Sequence, residues 1–204
     1  VINCEEFRVD RLKVLLMIAL WVLVFVPGYS LSSSSIEHWP LFRGDSGLSG
    51  FTHNYLPHRP QVIWTFQAAD GIESTAAISS ETVFVGTLDG SFHALELETG
   101  RPRWKYKAKD MIKSSPLSLG HMVYFGDEFG ILYALDVKTG GLNWSFETEG
   151  AITSSVNFLH KSIIFGSYDQ FLYCLSAQDG ALLWRVETAG YLHATPAVFG
   201  KSII

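Results

Sequence analysis

From residue 61 onward, apolar and polar positions alternate with a period of two in short runs, and turn residues interrupt them every few positions. In one representative stretch, Ser114-Ser115-Pro116-Leu117-Ser118-Leu119 alternates and stops at Gly120, and His121-Met122-Val123-Tyr124-Phe125-Gly126 follows a tight turn. Asp127-Glu128-Phe129-Gly130 then turns the chain into residues 131–136, and Lys138-Thr139-Gly140-Gly141 leads into Leu142-Asn143-Trp144-Ser145-Phe146-Glu147. The pattern predicts four strands of about 5–6 residues each, joined by turns. No segment offers the amphipathic run of roughly 10–12 residues that a helix needs.

This unit repeats. Residues 131–144 have sisters at 91–104 and 171–184, and tryptophans fall at 64, 104, 144 and 184, a constant period of 40. Such a period announces a repeat architecture. The third strand of the unit is apolar on both faces, with Leu132 and Ala134 on one and Ile131, Tyr133 and Leu135 on the other. A strand of that kind is buried on both faces. Four-stranded sheets stacked face to face around an axis meet the requirement, which makes the fold class all-β: a β-propeller of four-stranded antiparallel blades.

The repeated residues each have a structural task. Asp89-Gly90 suits a type I′ hairpin turn, and Gly130 holds the same place. Gln170 does not, so the third turn is expected to be looser or of another type. Gly100, Gly140 and Gly180 close the next turn, where Asp136 or Thr139 can accept a backbone N–H. Gly86, Gly126 and Gly166 end the second strand and let a neighbour approach closely. Trp104, Trp144 and Trp184 fit as wedges between sheets, and Trp64 lies in an expected outer strand over residues 61–67. Cys174 stands where the other units carry Ala94 and Ala134, which marks it as a small buried packing residue.

Phasing places the blades at 74–107, 114–147 and 154–187, with an incomplete unit from Ala194. About three and a half blades cannot close a ring, so residues 61–204 read as a truncated propeller and the chain as an N-terminal fragment. Residues 31–60 are rich in Ser, Gly, Pro and His without periodicity and form an irregular lead-in arm. Its Trp39 and Phe42 suggest docking on the surface or rim of the domain. His53 and His58, in a proline-containing loop, read as surface histidines.

Residues 1–30 differ in kind. Arg8, Arg11 and Lys13 precede an apolar run over 14–26, followed by Pro27-Gly28 and a serine tract. As a helix the run reaches only ~20 Å, short of a ~30 Å hydrocarbon core. It therefore reads as a signal peptide, with an uncleaved membrane anchor as the alternative, and the protein is expected to be exported to the periplasm, the extracellular space or the cell envelope.

Of the 204 residues, 48% are hydrophobic and 17% charged, as in globular proteins. The net charge of −5 lacks the basic stripe a nucleic-acid partner would need. Cys4 and Cys174 are the two cysteines, too few for a disulfide framework or a metal cluster.

Ala134-Leu135-Asp136, Thr139-Gly140 and Trp144 resemble the quinoprotein-type repeat, also called the pyrroloquinoline quinone (PQQ) repeat, whose pattern ends Ala-Leu-Asp-x-x-Thr-Gly-x-x-x-Trp. Trp39-Pro40-Leu41-Phe42-Arg43-Gly44 is similar to a lead-in of secreted bacterial members. The resemblance implies a propeller and two classes of function. One is a non-enzymatic binding or assembly scaffold, similar to the outer-membrane assembly propeller lipoprotein. The other is a PQQ- and calcium-dependent alcohol or sugar dehydrogenase. The alcohol enzymes carry adjacent cysteines, which this sequence lacks. Gly71-Ile72-Glu73-Ser74-Thr75-Ala76 resembles the enzymes' Gly-x-Glu-Ala-Thr-Pro segment, so Glu73 is a candidate cofactor contact, although non-enzymatic members place a Glu there too.

The position of Glu73 recurs as Lys113, Thr153 and His193, just before each innermost strand. These four are expected to ring one mouth of the central channel. No residue is assigned a catalytic or metal-binding role. The reading adopted is an exported, non-enzymatic scaffold that needs no cofactor and binds a protein or peptide partner at this mouth, with membrane contact only through an uncleaved leader. The alternative is the N-terminal part of the dehydrogenase, with PQQ and calcium.

Overall fold

The computed structural model describes residues 38–53, 55, 57–200 and 202–204. The expected leader over residues 1–30 lies outside the described residues, as does the start of the arm. Every described element is a strand. Blade 1 comprises β1 (Ala77–Ser79), β2 (Thr82–Gly86), β3 (Ser91–Glu96) and β4 (Pro102–Lys107), paired antiparallel in chain order. Blade 2 repeats this with β5 (Leu117–Leu119), β6 (Met122–Gly126), β7 (Ile131–Asp136) and β8 (Leu142–Glu147). Blade 3 has β9 (Asn157–Leu159), β10 (Ser162–Gly166), β11 (Phe171–Ser176) and β12 (Leu182–Glu187). A two-stranded unit, β13 (Val198–Phe199) and β14 (Ser202–Ile203), follows. No described strand pairs this last unit back to the first, so the propeller is partial and open.

The innermost strands are shorter than their alternation suggested. Ser114 does not join the ladder by its backbone. Its hydroxyl donates to the Gly126 carbonyl (2.9 Å) and accepts the Gly126 N–H (2.7 Å). Pro116 next to it has no N–H to give. Ser74 and Ser154 repeat the device with Gly86 and Gly166.

Three turn and strand expectations need correction. The β2–β3 turn is not type I′, because Gly90 (φ +75°) has positive φ while Leu88 and Asp89 do not. The Gly90 N–H bonds the Thr87 carbonyl at 3.0 Å, giving a type I turn followed by one left-handed residue. The β1–β2 turn instead has positive φ at both central residues, Ser80 and Glu81, as type I′ requires. The third β2–β3-type turn is not looser: Gln170 takes the glycine's conformation (φ +74°) and bonds Ser167 at 3.2 Å. Residues 61–67 form no strand, because a strand needs a hydrogen-bonded neighbour and none of the described strands lies beside them.

The core lies between blades. Phe92 of blade 1 stacks on Phe125 of blade 2 with centroids 3.9 Å apart, and Phe125 stacks on Tyr133 at 5.1 Å. Aromatic pairs recur in the same edge-on geometry at successive interfaces: Phe66 with His93, Tyr106 with Tyr133, and Phe146 with Tyr173. Trp64, Trp104 and Trp144 each seat their indole on the next blade's turn glycine. A Cβ on Gly100, Gly140 or Gly180 would fall within 2.5–2.6 Å of the ring of Trp64, Trp104 or Trp144. Trp64 and Phe66 thus face blade 1 as an outer strand would. The indole N–H groups of Trp64 and Trp104 donate to Leu97 and Val137 carbonyls (2.8 and 2.9 Å). At the next interface the Tyr124 hydroxyl takes the corresponding carbonyl, Ala177 (2.8 Å), and the Trp144 indole N–H has no partner. Trp64, Trp104 and Trp144 are partly buried, whereas Trp184, expected as a wedge, is exposed, with no described blade packed on it.

The lead-in arm penetrates further than the rim. Leu41 is fully buried, and the arm runs along the innermost strands. Trp39 exchanges both backbone hydrogen bonds with Ile78 (2.8 and 2.9 Å), the Pro40 carbonyl accepts from Ser118 N–H (2.7 Å), and the Ser46 carbonyl accepts from Val198 N–H (2.8 Å). The remaining equivalent, Phe158 N–H, is satisfied by Asn157 Oδ1 at 2.7 Å, while Asn157 Nδ2 donates to the Ser46 carbonyl at 2.8 Å. Positions 78, 118, 158 and 198 present N–H groups on the inner sheet edges, where unpaired backbone is costly. The arm answers three of the four.

Candidate functional site

Glu73, Lys113, Thr153 and His193 line one cavity of about 440 Å³. Each follows a short loop pinned to a turn of its own or the preceding blade, as Ile112 N–H bonds the Thr87 carbonyl and Ile152 N–H the Asp127 carbonyl. Their environments differ. Lys113 Nζ lies 3.3 Å from the Glu128 carboxylate, which holds the ammonium above its ordinary pKa by hydrogen bond and charge, with the charge of Glu73 adding to the effect. His193 Nδ1 is 2.5 Å from the Tyr168 hydroxyl, and Tyr168 stacks on Tyr191 at 5.5 Å. Thr153 Oγ1 is buried without a partner. Glu73 is exposed.

Residues not singled out beforehand complete the cavity. The arm contributes Phe42, Arg43 and Leu48. Two positions after the Glu73 series, Thr75, Ser115, Ser155 and Thr195 line it with hydroxyls. These are linked from unit to unit, since Thr75 N–H bonds Ser115 Oγ (2.9 Å), Ser115 N–H bonds Ser155 Oγ (3.2 Å) and Ser155 N–H bonds Thr195 Oγ1 (3.2 Å). Their spacing of 40 is visible in the sequence, and only the fold shows that they share a wall. Around the cavity, Ile72, Met111, Phe129 and Tyr191 are exposed on the loops and turns of the same end. Lys109 Nζ sits 3.2 Å over the Phe129 ring.

The profile of the family described as outer membrane protein assembly factor BamB matches residues 57–166 and 130–204, more than half of the chain. The chain belongs to this family of PQQ-like propeller repeats. Among solved structures it is similar to BamB from Moraxella catarrhalis, with 23% identity and a TM-score of 0.62 over 68% of this chain and 44% of that one. It is also similar to the quinohemoprotein alcohol dehydrogenase ADHIIG from Pseudomonas putida HK5 (19%, 0.65, 74% and 26%). The quinohemoprotein alcohol dehydrogenase from Comamonas testosteroni gives a comparable match (19%, 0.64, 74% and 27%). At these identities the structures share the fold, and the chain spans less than half the length of each. No curated protein matches the chain.

The residues present do not meet the needs of the dehydrogenases' cofactors. Among the described residues no three His, Cys, Asp or Glu side chains converge to hold a cation. Of the acids near the cavity, Glu128 is engaged by Lys113, which leaves Glu73. Cys174 is buried and is the one cysteine among the described residues, and burial raises its thiol pKa. These residues do not by themselves fit a quinone with calcium.

Proposed function

We propose that this BamB-family chain is part of an exported, non-enzymatic scaffold of the cell envelope whose mouth face binds a protein or peptide partner during protein assembly. The observation that carries the reading is an asymmetry between the two ends of the blades. Four exposed apolar side chains, Ile72, Met111, Phe129 and Tyr191, lie on the loops and turns around the mouth cavity, whereas at the opposite end the exposed large apolar residues among the described ones, Leu142, Leu182 and Phe199, sit at strand ends beside the turns and not on them. Aromatic and methionine side chains are enriched in the centres of interfaces. Among the described residues no three His, Cys, Asp or Glu side chains cluster at this face to hold a metal ion. Family membership supports an envelope location and a protein partner.

A photo-crosslinking amino acid placed at Met111, Phe129 or Tyr191 of the full-length protein in cells is expected to capture a discrete envelope protein. Placed at Lys138 or Gln178, on the opposite turns, it is expected to capture none. Cross-links confined to the opposite turns would reverse the assignment. The dehydrogenase reading draws on the exposed Glu73 at the mouth. Dye reduction by the full-length protein with added PQQ, calcium and alcohols or sugars would establish it.

A further inference from the structure

The mouth cavity offers more hydrogen-bond donors than its own acceptors use. Ser115 and Ser155 are 5% and 7% exposed, and each hydroxyl oxygen accepts a backbone N–H from the preceding unit. Thr195 does the same for Ser155. A hydroxyl that accepts still has a proton to donate, and among the described residues none of these three protons has an acceptor. Thr153 Oγ1 is buried with no partner at all. Arg43 enters from the arm at a left-handed backbone position (φ +60°), and among the described residues the ion pair is Lys113 with Glu128, not one with Arg43.

This balance selects a ligand class. Lys113 and Glu128 offset each other, and Glu73 is the remaining acid that lines the cavity, its charge felt by Lys113. The four charges sum to zero, and Arg43 is the cation that makes no ion pair among the described residues, which suits a singly charged, acceptor-only planar group better than a dianion. A carboxylate has that form and takes two parallel N–H bonds from arginine. Phe42 and Leu48 give the cavity an apolar wall for the methylenes behind such a group. The apolar residues around the mouth offer contacts to flanking residues that a free small acid could not use.

We infer that the mouth cavity receives the carboxylate of an extended segment of the partner, held bidentately by Arg43 with Ser115, Ser155 and Thr195 as neutral donors. The inference rests on the reading of the mouth as the binding face and adds the chemistry of what enters it.

The test is titration of the ¹⁵N-labelled full-length protein, observing the Arg43 Nε–Hε signal, with three hexapeptides at up to millimolar concentration. One is amidated with a central glutamate, one is its amidated glutamine counterpart, and one is the glutamine peptide with a free C terminus. The amidated glutamate peptide is expected to shift the signal and to bind roughly tenfold or more tightly than the amidated glutamine peptide, the usual scale for a charged hydrogen bond. Arg43→Gln should abolish the difference and Arg43→Lys restore part of it. Binding of the free-terminus peptide as tightly as the glutamate peptide would show that the cavity takes a carboxylate from either source, and failure of that peptide would assign it to an acidic side chain. No shift at millimolar peptide, equal binding of the two amidated peptides, or an unchanged difference in Arg43→Gln would overturn the inference. Arg43 is exposed and engages no side chain, so an unchanged thermal midpoint controls for folding. If cross-links persist from Met111 and Tyr191 while the peptides do not discriminate, the carboxylate assignment alone fails. If both are silent, the mouth-face reading fails with it.

Discussion

The two ends of each blade follow different rules. At the turn end, Gly100, Gly140 and Gly180 have φ values of +69°, +70° and +71°, and each carries the preceding tryptophan on its backbone. An acid and a hydroxyl cap every one of these turns. Asp136 accepts from Lys138 N–H, Thr139 N–H and the Thr139 hydroxyl, and Glu96 is paired with Thr99. In blade 3 the roles exchange, with Asp179 accepting from Ala181 N–H and from the Ser176 hydroxyl. At the mouth end the equivalent residues are Glu73, Lys113, Thr153 and His193, with nothing in common. Repetition therefore marks what holds the blades together, and the mouth departs from it at Glu73, Lys113, Thr153 and His193.

Breaking the turn end should cost most. Gly140→Ala places a Cβ about where the Trp104 ring already lies (2.6 Å) and forces a side chain onto a left-handed backbone. Overpacking and strain together predict a loss of roughly 2–4 kcal/mol. Chemical denaturation would measure it, and a loss below that of an ordinary surface substitution would mean that the tryptophan seat is not a stability determinant.

Much of this is legible in the chain alone. The alternation, the doubly apolar third strand and the 40-residue period point to the four-stranded blade and the tryptophan wedge. Asp136 and Thr139 cap the turn as expected, and Gly86, Gly126 and Gly166 admit Ile112, Ile152 and Leu192. What cannot be read are long-range pairings of non-repeating segments. Nothing in Trp39-Pro40-Leu41-Phe42-Arg43 says that the arm completes the inner strand edges and delivers Arg43 to the mouth, because an irregular segment has no period to fix its register. The outer-strand pattern of residues 61–67 is real in its facing of Trp64 and Phe66, but strand pairing depends on a neighbour that local sequence does not specify. Asp89-Gly90 does not disclose its turn type, because one glycine satisfies several turns that need a single left-handed residue.

The mouth end carries a smaller, pH-dependent departure. His93 occupies the place of Tyr133 and Tyr173, whose hydroxyls donate to Asp127 and Asp169 at 2.8 and 2.7 Å. Its imidazole packs on Phe66, and burial, aided by the charge of Lys105, lowers its pKa below the ordinary histidine value, against the opposing pull of Asp89. The unfolded chain therefore binds the proton more readily than the folded one. Stability from this site is present above the unfolded pKa of about 6.5 and is lost as pH falls from there toward the folded value. Every tenfold difference in proton affinity between the two states is worth roughly 1.4 kcal/mol. Replacing His93 with Tyr, as in the other blades, should flatten the stability profile between neutral and mildly acidic pH. An undiminished slope in H93Y denaturation curves would locate the dependence elsewhere.

The smallest effect concerns the third mouth turn, which keeps the shape of its sisters without their glycine. Gln170 holds φ +74°, against +75° for Gly90 and +95° for Gly130, and its carbonyl accepts the Thr188 N–H (2.7 Å) as Gly90 accepts Ala108 and Gly130 accepts Thr148. A side chain in this conformation costs roughly 1–2 kcal/mol. Glycine would relieve that cost but lose about 0.5–1 kcal/mol through the freedom it adds to the unfolded chain. Gln170→Gly should therefore stabilise the protein by only ~0.5 kcal/mol, read as a small rise in denaturation midpoint. Gln170 is exposed and its side chain bonds nothing among the described residues, so the substitution isolates the backbone contribution. A clear loss of stability in Q170G would show instead that the glutamine side chain contributes to this end of the blade, and that its departure from glycine belongs with the recognition residues beside it.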